Sequence, residues 1–378
     1  MAAVGSAVGL GNIFRFPGLA AKYGIWFIAA YTVFLALLGL PLLCFELYIG
    51  KNSSSGAGKA LSFSKSSVSP LGLSAAANCF LVLICYLIFF GLVIKGSLEA
   101  FSPSPLGALD PLFLIVAGAV AVVSVGSAER LGKISEVGVI FSAAVLIVVA
   151  AAGIIMNPHA LIPFFGVSPG IMLDPKFLED VCGQVFFSLS LAVGVMIAYG
   201  SMLDKRVPLF KSGIAVCFFD MAVSLLSTVI YICLGGSEGA TTECISAYPV
   251  IFEGFFGAAV GRAAEFFFFT GLALLCLGSV ISYIKAVSVY FKREEGKAIG
   301  ITISALLIGL FLLGSRYSAI NFIDSVLLPP IGLTVGIGEA VFFSFKVPRI
   351  KFRPVTEVWM RFGVPFILLF LLLRKIFI

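Results

Sequence analysis

The chain carries about eleven apolar segments in a row, each long enough to cross a lipid bilayer. A helix needs about 20 mainly apolar residues to span the hydrocarbon core. Since lipid offers no partner to backbone N–H and C=O groups, segments of this kind must be helices. The sequence therefore predicts an all-α integral membrane protein with about eleven transmembrane helices. Their approximate bounds are 1–18, 24–49, 71–98, 106–126, 133–155, 179–202, 210–235, 262–290, 298–314, 319–345 and 357–377.

The composition and the placement of charge agree with a membrane protein. Hydrophobic residues make up 60% of the chain and charged residues only 12%, unlike the proportions of a soluble domain. The formal charge of +6 comes from basic residues in alternate loops, such as Lys51, Arg130 and Arg293, and not from one basic face. This pattern argues against a nucleic-acid partner. By the positive-inside rule it predicts a multi-pass protein of the plasma (inner) membrane with a cytoplasmic N-terminus.

Two of the apolar segments contain residues that interrupt a helix. Residues 7–17 include two glycines and a proline together with the polar Asn12 and Arg15. A second interrupted segment, residues 184–194, follows five spans later. Inside a membrane, backbone left unpaired by such a break must line a cavity or bind something. Broken helices at corresponding positions of two halves are the best sequence indication of a transporter's binding site.

The breaks also predict what such a site can bind. A half-helix that ends inside the membrane exposes N–H groups at one end and carbonyl groups at the other, with partial charges of roughly half a unit. The carboxylate of an amino acid suits the first end, and a sodium ion suits the second. Two breaks placed opposite each other give a dry site for a zwitterion and cations together. Each ion then lowers the cost of burying the other.

Other kinds of function find little support in the residues. The single histidine, His159, falls in a loop, and the eight cysteines show no metal-ligand spacing. We therefore expect no zinc or iron site and no enzymatic activity, with an intramembrane enzyme as a minor alternative. A channel would need a continuous polar pore through several spans, which the apolar segments do not provide.

Several short motifs occur in a characteristic order: the first-span segment, residues 41–51 with Glu46, residues 184–201, residues 248–252, and Asp324 with Glu339. In this order they resemble the neurotransmitter:sodium symporter family, whose members include the bacterial leucine transporter. The resemblance runs from Gly5 to about Phe345. It implies one transmembrane transporter domain over 1–378, in which the first and sixth spans are broken. Two five-helix inverted repeats would occupy about 1–155 and 178–345, followed by an extra span at 357–377.

The resemblance implies two sodium sites, of which the first also contacts the substrate carboxylate. Its oxygen ligands suit a hard cation. Asp220 stands where many family members have Asn, so a fixed negative charge would lie beside this ion. We therefore expect no chloride requirement. The protein ligands would be Ala7, Asn12, Ser188 and Asp220. In chloride-dependent members an anion supplies the charge, near positions that match Tyr31, Gln184, Ser188 and Ser224.

The second sodium site would use the backbone carbonyls of Gly5, Val8 and Leu275 with the hydroxyl of Ser279. Gly278 occupies the place where relatives offer a Thr or Asp side chain. One oxygen ligand is therefore missing. We expect this site to be weaker, completed by water, or absent.

An amino-acid substrate in a midplane pocket is also implied. Monoamine carriers of the family place an Asp in the first break, whereas this chain has Gly9, so the ligand should carry a carboxylate. We expect its side chain to be neutral and apolar or aromatic. Arg15 and Asp324 match the extracellular gate that closes over it. The pocket residues would be Ala7, Leu10, Gly11, Val82, Tyr86, Phe187, Ser188, Ser190, Val193, Ser279 and Tyr283.

Together these features predict a sodium-coupled secondary active symporter that imports a neutral amino acid by alternating access. Its expected partners are the small-molecule amino acid, sodium ions and the lipid bilayer. The alternative is a truncated or non-transporting family member that binds or senses an amino acid. Gly278 and the short segment before Gly5 favour that alternative.

Overall fold

The computed structural model describes the greater part of the chain, and every structural statement below concerns that part. The described residues are 9–53, 61, 70–102, 109–125, 128–174, 176–204, 206–235, 241–290, 295–314, 318–323, 327–346 and 358–377. They form helices joined by turns and short loops. The expected all-α architecture is therefore confirmed.

The helices of the first half follow the predicted apolar segments closely. Helix α1 begins with a π-helical turn at Gly11–Arg15 and continues over Phe16–Tyr23. Helix α2 runs through Ile25–Phe34, a π-helical turn at Leu35–Gly39, and Leu40–Ser53. The next helices are α3 (Pro70–Glu99), α4 (Asp110–Ser124), α5 (Ala128–Met156) and the short α6 (Ile162–Phe165).

The second half repeats this pattern with its own break. Two half-helices, α7 (Phe177–Ser188) and α8 (Val195–Gly200), replace a continuous span. The following helices are α9 (Leu209–Cys233), α10 (Thr241–Phe256), α11 (Ala258–Tyr290), α12 (Glu295–Leu313), α13 (Ser318–Phe322) and α14 (Leu328–Lys346). The last helix, α15, starts as a π-helical turn at Trp359–Gly363 and continues over Val364–Phe377.

Helices α3 and α11 form the centre of the molecule. Both are long and apolar enough to cross a membrane, and 72% of the most apolar window of each is buried inside the protein. The corresponding window of α5 is only 33% buried, and its Val148 and Ile155 are exposed. Apolar side chains exposed in this way suit contact with lipid. The central pair is therefore the part of the fold best placed to wall an internal site.

The second break lies where the sequence placed it. Residues 189–194 are not helical, and three of them have positive φ: 51° at Ser190, 60° at Ala192 and 74° at Gly194. This backbone conformation is uncommon for residues other than glycine. The side chains of Glu46 and Asn78 hydrogen-bond to the backbone of this segment. Of the first break, Gly9 and Leu10 are described, whereas residues 1–8 lie outside the described part of the chain.

Candidate functional site

A buried cluster of oxygen atoms joins α1, α7 and α9. The amide nitrogen of Asn12 lies 3.0 Å from Ser188 Oγ, 2.7 Å from Asp220 Oδ1 and 2.9 Å from Ser224 Oγ. It also lies 3.2 Å from the backbone oxygen of Asp220. The amide orientation is supported by Gly9, whose N–H donates to Asn12 Oδ1 at 3.0 Å. Four oxygens thus converge on an NH2 group that has only two hydrogens to offer. Oxygens of this kind suit a hard cation, and Asn12 itself would ligate such an ion through Oδ1, which here faces Gly9.

The charge of this cluster comes from Asp220. Its second oxygen, Oδ2, accepts a hydrogen bond of 2.6 Å from the Tyr31 phenol. The Asp220 side chain is fully buried, and its described hydrogen-bond partners are uncharged. A buried charge is costly unless it is paired or coordinates a metal ion. A monovalent cation among these oxygens would provide that pairing. Ala7, the remaining predicted ligand, lies outside the described residues.

Helix α11 carries two of the four predicted ligands of the second sodium site. Leu275 and Ser279 lie one helical turn apart and are buried. The Ser279 hydroxyl has no hydrogen-bond partner among the described residues. It lies 3.5 Å from the point that a Cβ on Gly9 would occupy, so it faces the first break. This is where an ion ligand is expected. The other two predicted ligands, Gly5 and Val8, lie outside the described part.

The backbone carbonyl of Gly278 takes part in a hydrogen bond between two helical turns. It accepts a 2.6 Å hydrogen bond from the Ser282 hydroxyl, one turn further along α11. Ser282 in turn is hydrogen-bonded to the Tyr199 hydroxyl of α8. The half-helix after the second break is therefore tied to α11 beside the position where relatives offer a side-chain ligand.

A cavity of about 170 Å³ lies between α3, the second break and α11. The Ser190 and Tyr283 hydroxyls, which both line it, are hydrogen-bonded to each other at 3.2 Å. The Tyr86 ring lies 5.0 Å from the Tyr283 ring and 6.2 Å from the Phe187 ring, measured between centroids. Five of the predicted pocket residues line the cavity: Val82, Phe187, Ser190, Val193 and Tyr283. Helices α14 and α15 add a further wall, formed by Gly332, Leu333 and Leu371.

The first break passes very close to the Phe187 ring. A Cβ on Gly11 would lie 2.5 Å from Phe187 Cδ1, closer than atoms tolerate. The Gly11 carbonyl accepts a 3.0 Å hydrogen bond from the Gln184 amide. The neighbouring Leu10 is fully buried. A side chain at position 11 would force the Phe187 ring to move, and the backbone there is hydrogen-bonded to α7.

One partner of the predicted outer gate lies at the mouth of the cavity. The Arg15 guanidinium lies 5.4 Å from the Phe187 ring centroid and donates a long, 3.4 Å hydrogen bond to the Gly183 carbonyl. The other partner, Asp324, lies outside the described residues. Two further acids, Glu179 and Asp180, line the same end of the cavity. Asp180 is already engaged by Tyr23, whose hydroxyl donates to it at 2.8 Å.

Two residues that hold the second break were not recognised as site residues from the sequence. The Ala192 N–H donates to Glu46 Oε1 at 2.8 Å, and the Ala192 carbonyl accepts from the Asn78 amide at 3.1 Å. The structure places the Glu46 carboxyl against the backbone of the break. Asn78 precedes Val82 by four residues. The four-residue spacing places Asn78 on the same helix face as Val82, and this sequence pattern could have identified Asn78 as a site residue.

Comparisons with known proteins agree on the kind of protein this is. The model of the sodium:neurotransmitter symporter family matches residues 1–104 and 109–316. The uncharacterized sodium-dependent transporter YhdH of Bacillus subtilis (strain 168) is 29% identical over 287 residues, 67% of this chain and 62% of that protein. The sodium-dependent neutral amino acid transporter B(0)AT2 of Bos taurus is 24% identical over 298 residues, covering 65% of this chain. The match covers 41% of the bovine protein, so the chain aligns with only part of both relatives.

A solved structure has the same fold. The crystal structure of MhsT in complex with L-phenylalanine superposes with a TM-score of 0.85 and 22% sequence identity. The match covers 99% of this chain and 97% of that one. It confirms the predicted architecture of about eleven transmembrane helices in two inverted repeats with broken first and sixth spans.

Proposed function

This chain belongs to the sodium:neurotransmitter symporter family, and from that premise we propose that it imports a neutral amino acid together with sodium. Members of the family are transporters and not enzymes. The proposed process is secondary active symport by alternating access. The whole chain, 1–378, acts as one transporter domain with repeats at about 1–155 and 178–345 and an extra span at 357–377.

The observation that carries this proposal is the oxygen cluster around Asn12. Its oxygens come from α7 and α9 and meet α1 directly after the first break. A sodium ion held there would lie next to the carboxylate of an amino acid bound against Leu10 and Gly11. Each charge would then offset the burial cost of the other. This contact is the physical basis for coupling sodium to substrate.

The cavity walls support a neutral side chain that is apolar or aromatic. Val82, Val193 and Phe187 supply apolar surface, and Tyr283 adds a ring whose hydroxyl is engaged with Ser190. No charged side chain lies beside these residues in the described part of the cavity, except at its Arg15 end. A charged substrate side chain would therefore be buried without a partner.

The remaining roles are parts of the same proposal. Arg15 and Asp324 close the outer side above Phe187. The second sodium site, completed by Gly5 and Val8, binds more weakly because Gly278 offers no side-chain oxygen. Asp220 neutralises the first sodium ion, so chloride is not required. The protein lies in the plasma (inner) membrane with a cytoplasmic N-terminus.

A non-transporting protein that binds or senses an amino acid is the second candidate. The observation that favours it is the missing side-chain oxygen at Gly278. A protein with one working sodium site can bind its ligand without completing the transport cycle. Binding and uptake therefore have to be measured separately.

The first test is binding of radiolabelled neutral amino acids to the purified protein, in sodium and in potassium at equal ionic strength. We expect saturable binding of one or a few amino acids in sodium and at least a tenfold loss in potassium, because the cluster would lack its cation. Asn12→Leu should abolish the sodium effect. Ser135→Ala, a buried change in α5 away from the cavity, is the matched control.

Uptake into proteoliposomes then separates the two candidates. Sodium-driven accumulation supports the symporter, whereas sodium-dependent binding without accumulation supports the binding or sensing protein. Binding that is equal in sodium and potassium contradicts sodium coupling at this site.

A further inference from the structure

Helix α14 leaves a space in the cavity wall where a side chain would otherwise lie. Gly332 is buried, and it lines the cavity. Apart from its chain neighbours and the backbone of its own helix, a Cβ added there would have one described neighbour within 4 Å, the Asn78 amide nitrogen at 4.0 Å. Protein interiors are close-packed, and voids larger than a water molecule are few. The space beside Gly332 is therefore unusual for a buried position.

The following turn of α14 packs closely against its neighbours. A Cβ on Gly336 would lie 2.9 Å from a ring carbon of Phe186 in α7. A Cβ on Gly338 would overlap the Leu71 side chain of α3. The glycines of this helix therefore serve two different purposes. Those at positions 336 and 338 allow close helix contact, whereas Gly332 leaves room in the cavity.

This room lies one helical turn beyond the pocket assigned to the substrate side chain. Asn78 and Val82 both line the cavity and are about 6 Å apart along the axis of α3. One turn in the other direction, the Tyr86 hydroxyl lies 3.5 Å from the point that a Cβ on Gly9 would occupy, so it marks the first break. In the proposed function the substrate carboxylate binds at that break. Its side chain then extends along α3 toward Val82 and the space at Gly332.

The walls around the space suit an apolar group. The second break, α14 and α15 contribute apolar side chains to the same cavity, namely Val193, Leu328, Leu333 and Leu371. Transfer of an apolar ring from water into such surroundings is favourable.

We propose that Gly332 determines how large a substrate side chain the site accepts, and that the space beside it receives the far end of a large aromatic side chain. Tryptophan is then preferred to a small branched amino acid such as valine. The valine side chain ends at its two methyl groups and leaves the space empty. A side chain at position 332 would occupy the same space as the indole ring. This inference rests on the proposed function and refines its substrate class.

The unmutated protein provides the first test. Saturation binding of radiolabelled L-valine, L-phenylalanine and L-tryptophan to the purified protein is measured in sodium. We expect the affinity to rise at least about tenfold from valine to tryptophan, because the larger ring buries more apolar surface. Tryptophan binding that is equal to or weaker than valine binding overturns the proposal.

Two variants fill the space in steps. Gly332→Ala adds one methyl group, for which there is room, and Gly332→Leu adds a full side chain. We expect tryptophan affinity to fall about threefold in the first and at least about tenfold in the second, with valine affinity changed by less than about twofold, since an apolar pocket discriminates by size. Gly300→Leu is the control, because position 300 of α12 is exposed and a Cβ there meets open space. It should leave both affinities unchanged.

Two results with Gly332→Leu would contradict the inference. Equal weakening of valine and tryptophan would mean that the substitution disturbs the site as a whole and not the space for the ring. Unchanged affinities with a higher thermal unfolding midpoint would mean that the space is a cavity outside the substrate site, which the leucine fills.

The outcomes also distinguish this inference from the proposed function. Sodium-dependent binding of valine without tighter binding of tryptophan overturns only the inference. Absence of sodium-dependent binding for every amino acid overturns the proposed function and, with it, the inference. The unmutated protein and Gly332→Ala decide the matter even where Gly332→Leu does not fold.

Discussion

Under the proposed function, the ionic requirements of this chain depend on Asp220. Both of its carboxylate oxygens are used, one beside the Asn12 amide and one by the Tyr31 phenol. In the proposed site, an ionised Asp220 supplies the negative charge that a bound anion would otherwise have to bring. The sodium ion would therefore be neutralised within the protein.

For the unmutated protein we expect sodium-dependent uptake to be unchanged when gluconate replaces chloride. Asp220→Asn keeps the size of the side chain and removes its charge, so sodium affinity should fall at least about tenfold, given the strength of a close charge pair. Sodium titrations of substrate binding measure both effects.

Ser227→Ala is the matched control for Asp220→Asn. Ser227 is buried on the same helix, and its hydroxyl has no partner among the described residues, so its loss should leave sodium affinity unchanged. Uptake that collapses in gluconate would show that Asp220 does not replace the anion.

At the scale of elements, α2 and α8 are in direct backbone contact. A Cβ on Gly50 would overlap the Ile197 carbonyl, and a Cβ on Gly200 would overlap the Leu47 carbonyl. The closest neighbours on both sides are backbone atoms, which cannot rotate away. This crossing fixes the half-helix that follows the second break. The positions of Ser190 and Val193 in the cavity depend on it.

We expect Gly50→Ala to destabilise the protein by about 3 kcal/mol, because overpacking at a close helix contact forces the backbones apart. The shift of the thermal unfolding midpoint in detergent measures this. Gly300→Ala provides the control, since a Cβ at that position in α12 meets open space. There the midpoint should stay the same or rise slightly, because alanine favours helix. A Gly50→Ala protein as stable as the control would contradict the close contact.

For the molecule as a whole, the loop charges predict an orientation. Arg206 lies in a loop on the proposed cytoplasmic side, and Lys176 lies in a loop on the opposite side. Both are exposed. Seven of the eight native cysteines are buried or half-buried and should give little background in labelling, and the substitution Cys244→Ser removes the eighth.

A membrane-impermeant maleimide should label Lys176→Cys in intact cells and Arg206→Cys only after permeabilisation. The two single variants serve as controls for each other. Labelling of Arg206→Cys in intact cells would place the N-terminus outside and reverse the proposed direction of the outer gate.

The sequence by itself determined the elements and their type. Runs of about 20 apolar residues can exist in lipid only as helices, so their number and order follow from hydropathy. The glycines and polar residues at positions 9–15 and 184–194 determined where helices break, and the family resemblance supplied ligand sets. Asn12 and Asp220 were paired in this way although 208 residues separate them.

Only the tertiary structure decided which faces meet. It brought Glu46 and Asn78 to the backbone of Ala192, and it closed the cavity with α14 and α15. Periodicity gives the face on which a residue lies, but not the element that the face packs against. Hydropathy does not identify the packing partner either, because nearly every surface of these helices is apolar. The partners of a buried polar atom therefore follow from helix packing, which depends on the whole chain at once.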